Sequence, residues 1–216
     1  MSESIRLILA SASPARLRTL RAAGLDPDVV VSGIDEGEIV AKSGPELVAE
    51  LARKKATAVS EQLDHLRRPA VIVGCDSMLE LDGQGHGKPA TVAQAVERWR
   101  MMSGRSAKLL TGHHVIVRRA GETLTRSAVA TTTVHFAELT DGEIEAYVAT
   151  GEPMQVAGAF TIDGLGGAYV TGIEGDHHNV VGLSLPLLRE LLADAGIGWF
   201  DVVGGVDGGS NGDRQG

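Results

Sequence analysis

The chain has 216 residues, a net charge of −8 and a single cysteine, Cys75. That length can bury a sizeable core. The acidic balance argues against a general binder of nucleic-acid polymers or of anionic membrane surfaces, and a lone cysteine leaves no intrachain disulfide and fits a reducing compartment. Residues 5–9 read as a first strand rather than a signal peptide, because no basic n-region precedes them. No apolar run approaches the roughly 20 residues that span a bilayer, so a cytoplasmic protein with no membrane partner is expected. Aromatics at 3% and 28 glycines favour a mixed α/β chain with many tight turns over a stacking platform for bases.

The first strand feeds a helix with Ser13 as N-cap and Pro14 at its first position, ending near Gly24. DVVVSGIDEGEI supplies a second strand and an acidic loop, and Ser43-Gly44-Pro45 opens a second helix that runs to about Leu63. PAVIVGCDS is a continuous apolar run closing on Gly74, Cys75 and Asp76, the pattern of a buried central strand. MLELDGQGHGKP continues it to a turn at Asp82-Gly83. Thr91 and Gln94 form a capping box for a third helix, which Gly104 closes. The stretch from Ala107 to Phe136 reads as two or three long strands around an AGE turn. Thr140 and Glu143 box a further helix carrying Ile144, Tyr147 and Val148. The glycine-dense VAGAFTIDGLGGAYVTGIEG reads as strands and tight turns, and LSLPLLRELLADAG as the last helix. From Gly204 onward the chain lacks any apolar period and is expected to be a disordered tail, leaving one domain over residues 1–203.

Several residues stand out chemically. Arg16 and Arg18 sit near a helix start, where the dipole disfavours cations by about 0.3–1 kcal/mol. Either a solvated face tolerates them, or an anion binds there. Stepping about 100° per residue from Leu47 places Lys55 in the middle of the second helix's apolar stripe. Its ammonium must then snorkel to water or reach an anion in a cleft. Asp76 closes a strand of buried character, a place where a carboxylate serves as metal ligand or general base, or simply makes an Asx turn. GQGHGKPA departs from the Walker A spacing, with Pro89 where the hydroxyl should stand, although Lys88 on a flexible turn is a point charge suited to phosphate. The acidic Asp35, Glu36 and Glu38 are oxygen donors for a divalent cation or a solvated loop. His113-His114 and His177-His178 are adjacent pairs, which on a strand point to opposite faces and make no chelate. Cys75 reads as a small buried hydrophobe. Three cations and two carboxylates at element ends suit a polyphosphate held with a divalent metal.

The ordered segments LASASPARLRTL, GIDEGEI, LARKKA, GCDSMLELDGQGHGKP, MSGRSAKLLTG, EIEAYVATGEPMQVAGAFTIDGLGG and NVVGLSLPLL resemble the Maf family of nucleoside triphosphate pyrophosphatases, up to about Gly196. The resemblance implies hydrolysis of a nucleoside triphosphate to its monophosphate and pyrophosphate with magnesium or manganese. It also implies a two-lobed α/β fold like that of inosine triphosphatases, with the cleft between the lobes, and commonly a homodimer. Its proposed role is clearance of non-standard nucleotides, with links to septum formation; the alternative is a nucleotide-binding regulator of division without turnover. Matched position by position, Asp76 takes the catalytic role and shares the metal with Glu36, while Ser13, Arg16, Lys55 and Lys88 contact substrate. The family's base-specificity positions correspond to Ala15, Ser77 and Asp163. They match neither the set associated with thymidine and uridine triphosphates nor the set associated with 7-methylguanosine triphosphate, so base preference does not transfer.

Overall fold

A computed structural model describes residues 5–35, 41, 43–63, 69–119 and 121–203. In chain order the main elements are β1 (Arg6–Leu9), α1 (Pro14–Ala22), β2 (Asp28–Val29), α2 (Gly44–Gln62), β3 (Ala70–Leu81), β4 (Gln84–His86), α3 (Val92–Met102), β5 (Ser106–Arg119), β6 (Glu122–Phe136), α4 (Asp141–Ala149), β7 (Val170–Glu174), α5 (His177–Val181) and α6 (Leu185–Asp194). The strands form one seven-stranded mixed sheet in the order β2-β1-β3-β5-β6-β7, with β4 paired to β3 off this path. β1 pairs in parallel with β2 and β3, while the β3–β5–β6–β7 run is antiparallel.

The helices begin where the sequence caps them. Ser13, Ser43, Thr91 and Thr140 each accept a hydrogen bond from the backbone N–H three residues on. The Thr140–Glu143 box is reciprocal. At the third helix the return arm differs from expectation, because Gln94 accepts from the Ala90 N–H rather than from Thr91.

Other expectations need correction. The second strand is only two residues long. Residues 152–169 form three short 3-10 segments, so the glycine-dense stretch contributes one strand, β7. His177 and His178 open the helix α5, capped by Asp176, instead of lying on a strand. Asp76 does not end its strand, because β3 runs unbroken to Leu81. Glu36 and the tail from Gly204 lie outside the described residues.

The register of β3 explains where a site can form. One edge pairs with β5 from Ala70↔Arg118 to Glu80↔Lys108. The other edge is shared: β1 covers it as far as Leu9↔Val73, and β4 takes it up again at Leu79↔His86. Among the described residues, no strand pairs with 74–78 on that side. Alternation puts Cys75 and Ser77 on one face of the sheet and Gly74, Asp76 and Met78 on the other.

On the Asp76 face α2 covers a core of Ile8, Ala56, Val59, Ile72 and Ile116. The opposite face carries the two larger apolar clusters. One joins β1, α1 and α6 through residues such as Leu9, Leu20, Val73 and Leu188. The other joins α3, α4 and the far end of β3 around Trp99, Phe136, Tyr147 and Leu79. A buried polar band made of Arg16, Thr111, His113 and Asn179, with half-buried Ser77, lies on this face among these clusters. Among the described residues no helix is long and apolar enough to cross a membrane.

Candidate active site

α2 lies directly on the sheet because two facing strand positions have no side chain. A Cβ on Gly74 would collide with the Ala52 carbonyl, and one on Gly112 with the Val48 carbonyl. Gly112 is also the cross-strand partner of Asp76. Small Ala52 and Ala56 complete the close approach, and Lys55 between them is carried down onto β3. Its Nζ donates to Asp76 Oδ1 at 2.6 Å, with the two side chains 11% and 14% exposed. The lysine of the apolar stripe therefore meets an anion. Asp76 Oδ2 makes no hydrogen bond to the described residues and remains available.

Across the sheet Arg16 turns away from the solvent. Only 8% of it is exposed. Nε donates to the Gly182 carbonyl at 2.7 Å, Nη1 to the Cys75 carbonyl at 2.8 Å and Ser11 Oγ at 3.1 Å, and Nη2 to Ser77 Oγ at 2.9 Å. Ser77 Oγ also lies 3.0 Å from Thr111 Oγ1, which in turn donates to the Asn179 carbonyl. The cation near the α1 N-terminus is thus held by protein acceptors on three separate segments. Ser13 caps the helix, its Oγ accepting from the Arg16 N–H at 3.4 Å.

Lys88 follows β4, the strand that borders the other end of the gap. The β3–β4 register carries the chain back along β3 from Gln84 to His86, where the pairing ends. The Gly87 carbonyl is fixed by Arg98 Nη1 at 2.6 Å and by the Gly158 N–H at 3.2 Å, while Lys88 itself is exposed. Burial, helped by the charge of Arg98, pushes the nearby His86 below its ordinary pKa.

Of the expected specificity positions, Ala15 is half-buried on α1 and Ser77 is engaged by Arg16. Asp163 pairs with Arg18 of α1 at 3.4 Å, one turn along from Ala15. The structure thus brings Lys55 to Asp76, Arg16 to Ser77, and the Asp163 loop to α1.

Sequence reasoning missed Glu152, which organises that loop. Its carboxylate accepts from Thr161 Oγ1 at 2.5 Å, Tyr147 Oη at 2.8 Å, and the Leu165 and Gly166 N–H groups at 3.0 Å each. Desolvation would raise its pKa, but these donors outweigh it and hold the group below the usual carboxylate range. The available signal was the glycine pair. A Cβ on Gly164 would sit 2.6 Å from Glu152 Oε2, and one on Gly166 would strike Tyr147 Oη.

Cys75 and His113 are both buried away from the site. Burial pushes the Cys75 thiol up to about 11, which leaves no thiolate near neutrality. His113 is pushed down to about 4 by burial and by the charge of Arg16. Its Nδ1 lies 3.0 Å from the Thr111 carbonyl, and its Nε2 accepts from the Ser184 N–H at 2.9 Å. It faces away from His114, whose Nδ1 meets Ser127 Oγ, as adjacent strand residues should.

Among the described residues no three His, Cys, Asp or Glu side chains cluster as a ready-made metal site. The donor chemistry nevertheless fits magnesium, which is commonly held by one or two carboxylates together with water and substrate phosphates. Asp76 Oδ2 offers one such hard oxygen.

The chain is 57% identical over 195 residues to a protein of Salinispora tropica called nucleoside triphosphate pyrophosphatase, covering 88% of this chain and 84% of that one. Proteins of the same name from Nocardia farcinica and Streptomyces coelicolor are 52% and 53% identical, each over 89% of this chain and 93% and 92% of their own. The solved Ham1 protein of Staphylococcus aureus overlaps 62% of this chain and 72% of its own at 15% identity and a TM-score of 0.34, which adds nothing to the assignment. A family model described as Maf-like protein matches residues 6–195, so β3, α1, α2 and Lys88 all fall inside the match, and the chain belongs to the Maf-like family.

Proposed function

We propose that this chain is a nucleoside triphosphate pyrophosphatase, a hydrolase that cleaves the phosphoric anhydride between the α- and β-phosphates. The name shared by its relatives supports the reading. The observation that carries it is the lysine–carboxylate pair in the stretch of β3 between β1 and β4, with the α1 N-terminal segment at the β1 end.

The triphosphate lies along that gap. Lys55 and Lys88 set positive charge against its phosphate oxygens, and Ser13 lines the α1 end. Asp76 orients a water for attack on the α-phosphorus and accepts its proton. The P–O bond to the β-phosphate breaks, the water oxygen stays in the monophosphate, and pyrophosphate leaves with the bonding electron pair. A divalent cation, magnesium or manganese, would be held by Asp76 and Glu36, and it would neutralise charge on the phosphate oxygens. Ala15, Ser77 and Asp163 flank the base. A cytoplasmic homodimer that clears non-standard nucleotides completes the reading.

Product analysis tests it. Wild-type protein, magnesium or manganese and a panel of nucleoside triphosphates are expected to yield pyrophosphate and monophosphate in equal amounts. Orthophosphate and diphosphate would mean stepwise dephosphorylation, and binding without any product would mean a regulator that holds nucleotide without turnover.

A further inference from the structure

The β1 edge of β3 has a missing partner. The Ala10 N–H donates to the Val73 carbonyl at 2.8 Å, the last rung of the parallel ladder on that side. Two residues on, the period of the strand presents the Cys75 carbonyl to the same edge. β1 has ended by then, and Arg16 Nη1 supplies the donor at 2.8 Å. The guanidinium stands in for the strand that is no longer there.

The rest of the fork ties this point to its surroundings. Nη2 holds Ser77 Oγ, so the residues on both sides of Asp76 are bonded to one planar group. Nε holds the Gly182 carbonyl between α5 and α6, a position whose φ is +121° and whose neighbour across the gap is this same arginine. Ser77 passes the constraint to Thr111 and so to the Asn179 carbonyl. These are four hydrogen bonds from a side chain that is 8% exposed. Of the five N–H donors a guanidinium carries, little remains with which to grip a phosphate.

We infer that Arg16 is a positioning residue: it clamps Cys75 and Ser77 at the open edge of β3, fixes the Asp76 carboxylate between them, and does not bind the triphosphate. The inference rests on the proposed pyrophosphatase activity and changes the role that the family resemblance implies for this arginine.

Two measurements on the full chain separate the roles. One is kcat for pyrophosphate release at saturating nucleoside triphosphate, and the other is the Kd of inorganic tripolyphosphate with magnesium by titration calorimetry. For Arg16→Gln, kcat is expected to fall about 100-fold, the scale of a misplaced catalytic group, while Kd stays within about threefold of wild type. A Kd raised about tenfold or more makes Arg16 a phosphate ligand and overturns the inference, and so does an unchanged kcat. If Arg16→Gln does not accumulate as folded protein by circular dichroism, Arg16→Lys and Ser77→Ala carry the same comparison, since each removes part of the clamp. A wild-type protein that releases no pyrophosphate would instead defeat the proposed activity, an outcome distinct from either result on the variants.

Discussion

A lysine pressed into an apolar helix face needs an anion, and Lys55 finds Asp76 at 2.6 Å. This much was legible from the spacing of α2, because a half-buried ammonium on the stripe has few inexpensive solutions. Lys55→Met is expected to raise the KM or Kd for triphosphate by about tenfold or more, the loss of one charge-assisted hydrogen bond of about 1.5–3 kcal/mol. Unchanged affinity, read by titration, would return Lys55 to a purely structural role. Arg16 was legible only as an anomaly. Its acceptors include Gly182, which is 166 positions away in the sequence, and no local pattern encodes a contact of that kind. Glu152 was hidden for the same reason, since its donors come from a loop that the sequence shows only as clustered glycines. His113 makes a stability prediction. Its folded pKa, about 4, lies below the ordinary 6.5, so as pH falls the unfolded chain takes up a proton that the native state refuses. The stability it contributes is fully present above pH 6.5 and is lost toward pH 4, about 3 kcal/mol at most. Urea denaturation across that window should therefore show a shallower acid slope for His113→Gln than for wild type.

At the scale of elements, the decisive contact is α2 against β3 and β5. Gly74 and Gly112 admit the helix backbone at a distance no side chain would allow. Gly74→Ala is expected to destabilise the fold by about 1–3 kcal/mol through overpacking, measured by chemical denaturation, and to lower kcat as Lys55 is lifted from Asp76. An alanine variant with wild-type stability would show that the helix has room to spare. Asp76 was read as the end of the strand's buried run, with the strand continuing to a turn at Asp82-Gly83, where the structure does turn. In the structure the apolar run breaks because Asp76 meets Lys55 on one face and Ser77 meets Arg16 on the other, and pairing with β5 on the far edge carries the strand on to Leu81. α5 was missed because five residues are too few to display a helical period. It is held by the Asp176 cap and by Asn179, whose amide donates to the Leu109 carbonyl and Thr132 Oγ1. The long capped helices, by contrast, start where their caps were read.

For the whole molecule, the sheet topology turns scattered motifs into one place. Among the described residues, 74–78 of β3 lie between β1 and β4 with no strand on that edge, in the middle of the protein. The segments SASPAR, LARKKA and GCDS meet at that opening, although they are far apart in the chain. The α/β class and the order of these motifs were readable beforehand, whereas the shared edge was not, because strand order and register are long-range properties. Exposed ion pairs such as Arg18–Asp163 contribute little to holding the parts together. The two large cores and the polar band on their face do most of it. The account stands on Asp76 as the group that works on water at this edge. The most direct test is the initial rate of pyrophosphate release by Asp76→Asn against wild type at saturating nucleoside triphosphate and magnesium. It should fall at least about 100-fold, roughly 2.7 kcal/mol in the barrier, whereas turnover near the wild-type rate would contradict the account.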